Sequence, residues 1–185
     1  MNFLKKQSPV RIISLGFALV ILIGSVLLSL PCSIRDGVTL RYIDALYMST
    51  SAVCVTGLLT VDAGDTFTPL GQFFLGMRIQ VGGLGVTAVG TGVILAMGKK
   101  INLKARNLIR EAGNLDSGKG VIRFIRLVFL TTVTFELAGA ALSFLVFRKN
   151  FPALKAAGVS LFHSVASFNN SGFDILGGGQ NLIPY

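Results

Sequence analysis

The sequence predicts an all-α polytopic membrane protein made of repeated units, each a transmembrane helix, a pore loop and a second transmembrane helix. Three observations predict it: the composition, apolar stretches long enough to cross a bilayer, and a self-similarity at a fixed offset. Of the 185 residues, 52% are hydrophobic and 14% charged, whereas an ordinary soluble domain carries about a quarter charged residues. The net charge of +9 could suit nucleic acid. Basic residues gathered on one side of a membrane account for the same excess, so no nucleic-acid partner is expected. Cys32 and Cys54 have neither zinc spacing nor the density of a disulfide scaffold. Leu28 to Cys32 has the outline of a lipoprotein cleavage site, but Pro31 precedes the cysteine and the apolar run before it is long for a signal peptide, so a retained helix is expected.

Residues 1–11 carry Lys5, Lys6 and Arg11 without an acid and read as a cytoplasmic N-terminus. Ile12 to Leu30 is free of charge and long enough to cross about 30 Å of hydrocarbon at about 1.5 Å per residue, and Pro31 ends it. Ile34 to Arg41 is then a short outer connection. Ile43 to Val55 is apolar but too short to span, and Asp44 to Gly57 reads as a short helix with Asp44 in its first turn and a Val-Thr-Gly turn at its end, an interfacial helix being the alternative. Non-helical backbone at membrane depth is tolerated where it is buried in protein or lines water, so this turn implies a pore or cavity. Pro69 starts the next helix, which runs inward to Met97 with Gln72, Arg78 and Gln80 as polar interruptions. Its glycines, Gly82, Gly83, Gly85, Gly90 and Gly92, are expected to form a close-packed interface. Together these make a first unit over 12–98.

A cytoplasmic loop, 99–121, follows. Lys99 to Arg126 holds eight of the 17 basic residues, which with the N-terminal three outnumber the five on the proposed outer segments. That bias places the N-terminus inside. Asn102 to Gly113 is amphipathic and suits a helix on the inner surface or against a soluble partner. The second unit, 122–185, begins with a span from Ile122 to Phe147. Arg148 and Lys149 mark its exit, and Pro152 and Ala153 lead to a short helix from about Ala156 to Phe168. Asn169-Asn170-Ser171-Gly172-Phe173 closes it.

Sliding the chain on itself by 115 positions pairs Gly57 with Gly172 without a gap. The same offset pairs Arg11 with Arg126, Gly24 with Gly139, Leu27 with Leu142, Leu46 with Leu161, Ser49 with Ser164, Gly64 with Gly179 and Pro69 with Pro184. The matches fall at equivalent structural points, which is what a repeat requires. With Pro184 at the place of Pro69, the chain holds about one and a half units, the expectation being an amino-terminal part or a naturally truncated product, which in either case borrows the remaining pore units.

A charge inside a span is paired or functional by default. Arg78 and Glu136 qualify, each about 15 Å from the outer end at about 1.5 Å per residue, so an ion pair between them is one expectation and their separate neutralisation by backbone and pore water the other. His163, a lone histidine on a short helix, suits a structural hydrogen bond better than a ligand or pH-sensing role. Asn169-Asn170-Ser171 matches a glycosylation sequon formally, but a buried turn is inaccessible to that machinery. Gly113 to Gly120 approaches a phosphate-binding loop but lacks the terminal Ser or Thr and follows no strand, so nucleotide is expected on a partner. No nucleophile, base and orienting group stand at meaningful spacing, and an enzyme is not expected.

Four segments carry a family resemblance: Asp44-Ala45-Leu46 leading into Thr50 to Leu58, Ile79-Gln80-Val81-Gly82-Gly83-Leu84-Gly85, Glu136 to Ala140, and Leu161-Phe162-His163 through Phe168 to Phe173. They resemble the Trk/Ktr/HKT superfamily of potassium transporters, most closely the membrane subunit of bacterial Ktr-type systems. The resemblance covers nearly the whole chain. It implies potassium uptake across the bacterial inner membrane through four such units, a homodimeric full-length form, and a cytosolic nucleotide-binding regulatory subunit. No cofactor is implied; membrane lipid is a partner, and potassium is the substrate. A potassium ion sheds water only where oxygens replace it, which backbone carbonyls in a narrow turn can do. Cys54, Val55, Thr56 and Gly57 would form one wall of a selectivity filter, and Asn169, Asn170, Ser171 and Gly172 the next. Glycine at the first filter position goes with potassium, whereas Ser there goes with sodium in the plant branch. A sodium-permeable transporter and a non-conducting assembly fragment are the alternatives.

Overall fold

The structure is a computed structural model that describes residues 9–86, 88–91, 107 and 120–179. It is helical, and the strand-like pairing among the described residues is limited to the isolated bridge between Ile34 and Phe67. Helix α1 (Pro9–Leu28) ends two residues earlier than the apolar run suggests, and Pro31–Ser33 forms a 3-10 turn after it. The Ser33 hydroxyl donates back to the Leu27 carbonyl at 2.7 Å, closing the end of α1. Helix α2 (Tyr42–Val53) is the first short helix, and α3 (Ala63–Thr66) is a single turn capped by the Asp62 side chain.

Helix α4 (Pro69–Leu84) starts as its proline predicts, with Pro69 inside the first turn and the Thr68 hydroxyl accepting from the Gly71 N–H at 3.2 Å. Its course departs from the expected unbroken span to Met97. Gly85, at φ 84°, stops the helix, and a helical segment resumes beyond it, where the Val89 N–H donates to the Gly85 carbonyl at 3.0 Å. The expected glycine interface is correspondingly smaller. Gly82 and Gly83 pack tightly, whereas a Cβ on Gly85 or Gly90 would meet nothing within 4 Å. Gly92 lies outside the described residues, as do the surface helix expected at 102–113 except for Asn107, Gly113 to Lys119, residues 1–8 and Pro184.

The second unit contains α5 (Val121–Phe147) and α6 (Ala153–Phe168), the latter beginning at Ala153 rather than Ala156. Helices α1 and α5 are the two described helices long and apolar enough to cross a membrane. At about 1.5 Å per residue they reach about 30 and 40 Å. Their outer faces carry exposed Leu15, Leu19, Leu22, Leu130, Leu137 and Leu142, a surface suited to hydrocarbon or neighbouring helices rather than water.

Packing repeats with the sequence. Helix α2 lies on α1, α6 lies on α5, and α4 touches α1, α2 and α6. In the first unit the Ser49 hydroxyl donates to the Ile21 carbonyl at 2.8 Å; in the second, Ser164 donates to the Glu136 carbonyl at 2.6 Å. Both donor and acceptor are displaced by the same 115 positions. Gly24 and Gly139 make room for these serines, since a Cβ at either would collide with the hydroxyl. Leu28, Met48, Phe67, Leu75 and Ile79, all fully buried, fill the space between α1, α2 and α4.

Candidate ion-coordinating site

The two short helices end in the same hydrogen-bonded turn. After α2, the Val55 N–H donates to the Ala52 carbonyl at 3.3 Å and the Thr56 N–H to the Ser51 carbonyl at 3.0 Å. After α6, the Asn170 N–H donates to Ser167 at 3.0 Å and the Ser171 N–H to Ala166 at 2.8 Å. This is the Schellman pattern, in which the residue after the cap takes left-handed angles. Val55 (φ 55°) and Asn170 (φ 54°) occupy that place, and Gly57 (φ 72°) and Gly172 (φ 71°) turn left-handed two residues on. Glycine or asparagine usually stands after a helix cap; a β-branched valine there is strained by roughly 1–3 kcal/mol and persists only where its surroundings over-determine it.

The turns meet. A Cβ on Gly57 would lie 2.6 Å from the Ser171 carbonyl oxygen and 3.3 Å from the Gly172 Cα. Glycine at position 57 is therefore required twice, for its angles and for this approach. The C-terminal ends of α2 and α6, at Cys54 and Asn169, bring partial negative charge to the same region, which favours a cation.

Helix α4 backs both turns. A Cβ on Gly82 would collide with the Val53 carbonyl, and one on Gly83 with the Asn169 side chain. The Asn169 side-chain amide donates to Gln80 Oε1 at 2.8 Å and to the Val165 carbonyl at 2.9 Å. The sequon asparagine is thus held by the scaffold. Beyond the turns, the Gly178 N–H donates to Asp65 Oδ2 at 2.6 Å and the Gly179 N–H to Asp62 Oδ2 at 3.1 Å, clasping the loops that follow them together.

The ion pair expected between Arg78 and Glu136 is not formed. Residues 78 and 80 stand about 200° apart on a helix that advances about 100° per residue, so they face opposite neighbours. Arg78 turns toward α1 and α2: it donates to the Phe74 carbonyl and lies beside Gly24, with its Nε buried and without a partner. Glu136 sits on the other side, within reach of the side-chain amides of Gln80 and Asn169, its Oε1 buried and unpartnered. The ion pair the described residues do show is Arg41–Asp44, at 2.8 Å, at the start of α2. His163 packs edge-on to Phe147 with ring centroids 5.7 Å apart, and its Nε2 lies 3.4 Å from the Ser167 hydroxyl.

Sequence reasoning reached the turns, the two glycines and the Ser49/Ser164 pair, but missed Gln80 and the Asp62/Asp65 clasp. Gln80 lies inside the Ile79 to Gly85 motif, and a polar side chain next to glycines in a span is the signal that marks it.

The model of a cation transport protein family, TrkH, matches residues 7–180. The potassium/sodium uptake protein NtpJ of Enterococcus hirae is 39% identical over 173 residues, covering 94% of this chain and 38% of that protein. The Ktr system potassium uptake protein B of Bacillus subtilis is 39% identical over 178 residues, covering 96% and 39%. Potassium uptake protein D of the same organism is 35% identical over 185 residues, covering 100% and 41%. The chain spans about two fifths of the length of these relatives. It belongs to the TrkH family of cation transport proteins, membrane transporters of the Trk/Ktr superfamily.

Proposed function

We propose that the chain supplies two adjoining walls of a selectivity filter for potassium uptake across the bacterial cell membrane. The carrying observation is that two turns, 115 residues apart in sequence, share one succession of backbone hands and meet at Gly57 and Gly172. Left-handed angles at alternate residues bring successive carbonyls to one edge of the chain and amides to the other. Carbonyls of Cys54 to Gly57 and of Asn169 to Gly172 then replace the ion's water. No cofactor enters this reading; the potassium ion is the cargo. The units run over 12–98 and 122–185, joined by a cytoplasmic loop at 99–121, with the N-terminus cytoplasmic. Further pore units complete the path, the full-length form is a homodimer, and a cytosolic nucleotide-binding subunit regulates it.

The test is complementation of a potassium-uptake-deficient bacterium by the full-length transporter containing these residues, expressed with its regulatory subunit. Growth at low potassium is expected; absence of growth with protein present in the membrane overturns the reading. A second reading, that sodium also passes, is favoured by the name of NtpJ, a potassium/sodium uptake protein. Sodium uptake by the same cells, measured without potassium, separates the two.

A further inference from the structure

We propose that Gln80 is a positioning residue for ion selectivity, acting on the second filter turn from the helix of the first unit. Three features converge on this side chain. Its Oε1 accepts from Asn169 Nδ2 at 2.8 Å, at the residue where α6 ends and the filter turn begins. Gly83, one turn along α4, has no Cβ and so lets the Asn169 side chain lie flat against the helix. Glu136, buried on α5, faces the same two amides.

The consequence is a tie across units. Asn169 contributes its backbone carbonyl to the ion path while its side chain is anchored behind it, so displacement of Gln80 would swing the turn that carries Asn170 to Gly172. Selectivity between ions of equal charge depends on how well carbonyls hold a spacing or field against the smaller ion. The first turn lacks this tie, because Cys54 stands at the place of Asn169 and is exposed. That turn instead joins Thr56 Oγ1 to Ser51 Oγ at 2.9 Å.

The inference rests on the potassium reading, and the experiment separates the two. Uptake of rubidium, as a potassium tracer, and of sodium is measured for the full-length transporter with Gln80→Leu, Gln80→Glu, Gln80→Glu/Glu136→Gln and Asn169→Cys, each normalised to membrane abundance. Loss of one hydrogen bond is worth on the order of 1 kcal/mol, so Gln80→Leu is expected to lower the rubidium-over-sodium preference about fivefold. Gln80→Glu keeps an acceptor for Asn169 Nδ2 but takes away the amide that faces Glu136 and sets a second carboxylate beside it, so the preference is expected to return only in the double variant Gln80→Glu/Glu136→Gln, which restores one amide and one carboxylate to the pair. Asn169→Cys places in the second turn the residue found in the first, keeps the carbonyl and removes the tie. It is expected to match Gln80→Leu, and it carries the comparison if Gln80→Leu does not reach the membrane. An unchanged preference in Asn169→Cys overturns the inference while leaving the potassium reading intact. A parent transporter that takes up no rubidium overturns the potassium reading itself.

Discussion

The turns after α2 and α6 reach one backbone with different side chains. Cys54-Val55-Thr56-Gly57 puts a valine in the left-handed position and secures itself locally, through Ser51 and Thr56. Asn169-Asn170-Ser171-Gly172 puts an asparagine there, at low strain, leaves the buried Ser171 hydroxyl without a partner, and is anchored to another unit through Gln80. Shared by both are the helix-end hydrogen bonds, the two left-handed positions and the glycine two residues on. Backbone geometry is therefore the common element, as expected where carbonyls rather than side chains do the coordinating.

The largest expected effect breaks the symmetry of the two glycines. Gly57→Ala adds a Cβ 2.6 Å from a carbonyl oxygen, whereas Gly172→Ala places one 3.4 Å from the Gly57 Cα, an ordinary contact. Each also holds a non-glycine residue at positive φ, at a cost of roughly 1–2 kcal/mol. Rubidium uptake should fall more than tenfold at position 57 and less at 172, a factor of ten being about 1.4 kcal/mol. Equal losses would contradict the packed approach of the two turns.

Next come the glycines behind the short helices. Gly24→Ala collides with both Ser49 and Arg78, while Gly139→Ala meets the Ser164 hydroxyl at 2.5 Å and has Cβ of that serine at 3.5 Å. Overpacking typically costs about 1–3 kcal/mol. Thermal melting of the purified transporter should show the greater loss for Gly24→Ala, and a reversed order would mean that Arg78 does not sit against α1.

A smaller effect, of opposite sign, is expected from copying one turn into the other. Val55→Asn puts an asparagine in left-handed backbone and should stabilise by up to about 1 kcal/mol, since asparagine tolerates these angles better. A lowered melting temperature would show that the valine side chain contributes more packing than its backbone strain costs.

The smallest effect lies at the start of α2, where the second unit carries no matching pair: Ala156 and Val159 stand 115 positions on from Arg41 and Asp44. The hydrogen bond from Arg41 holds the Asp44 carboxyl below its ordinary value. A carboxyl lowered on folding stabilises above its unfolded pKa and loses that contribution as pH falls through its folded value. The melting temperature should therefore decline on acidification below about pH 4. Asp44→Asn should flatten part of that decline, and an identical profile would remove the pair from the account.

Much of this was legible in the sequence because bilayer thickness and proline set element lengths directly. Ile122 to Phe147 and the start at Pro69 stand where the residues place them, and the repeat located both turns. The break at Gly85 was not legible: glycine in an apolar helix serves close packing or positive φ, and the neighbours decide which. Nor was the fate of Arg78 and Glu136. Counting residues gives depth along a helix, whereas pairing depends on which neighbour each face meets. Val55 in left-handed backbone was hidden for a related reason, since propensity opposes it and tertiary structure overrides propensity there.

Rubidium soaked into crystals of the full-length transporter, located by its anomalous scattering, tests the central claim most directly. The account predicts a peak between the backbone of Cys54 to Gly57 and that of Asn169 to Gly172, displaced by excess potassium. A rubidium peak elsewhere along the path, with none between these turns, would contradict it.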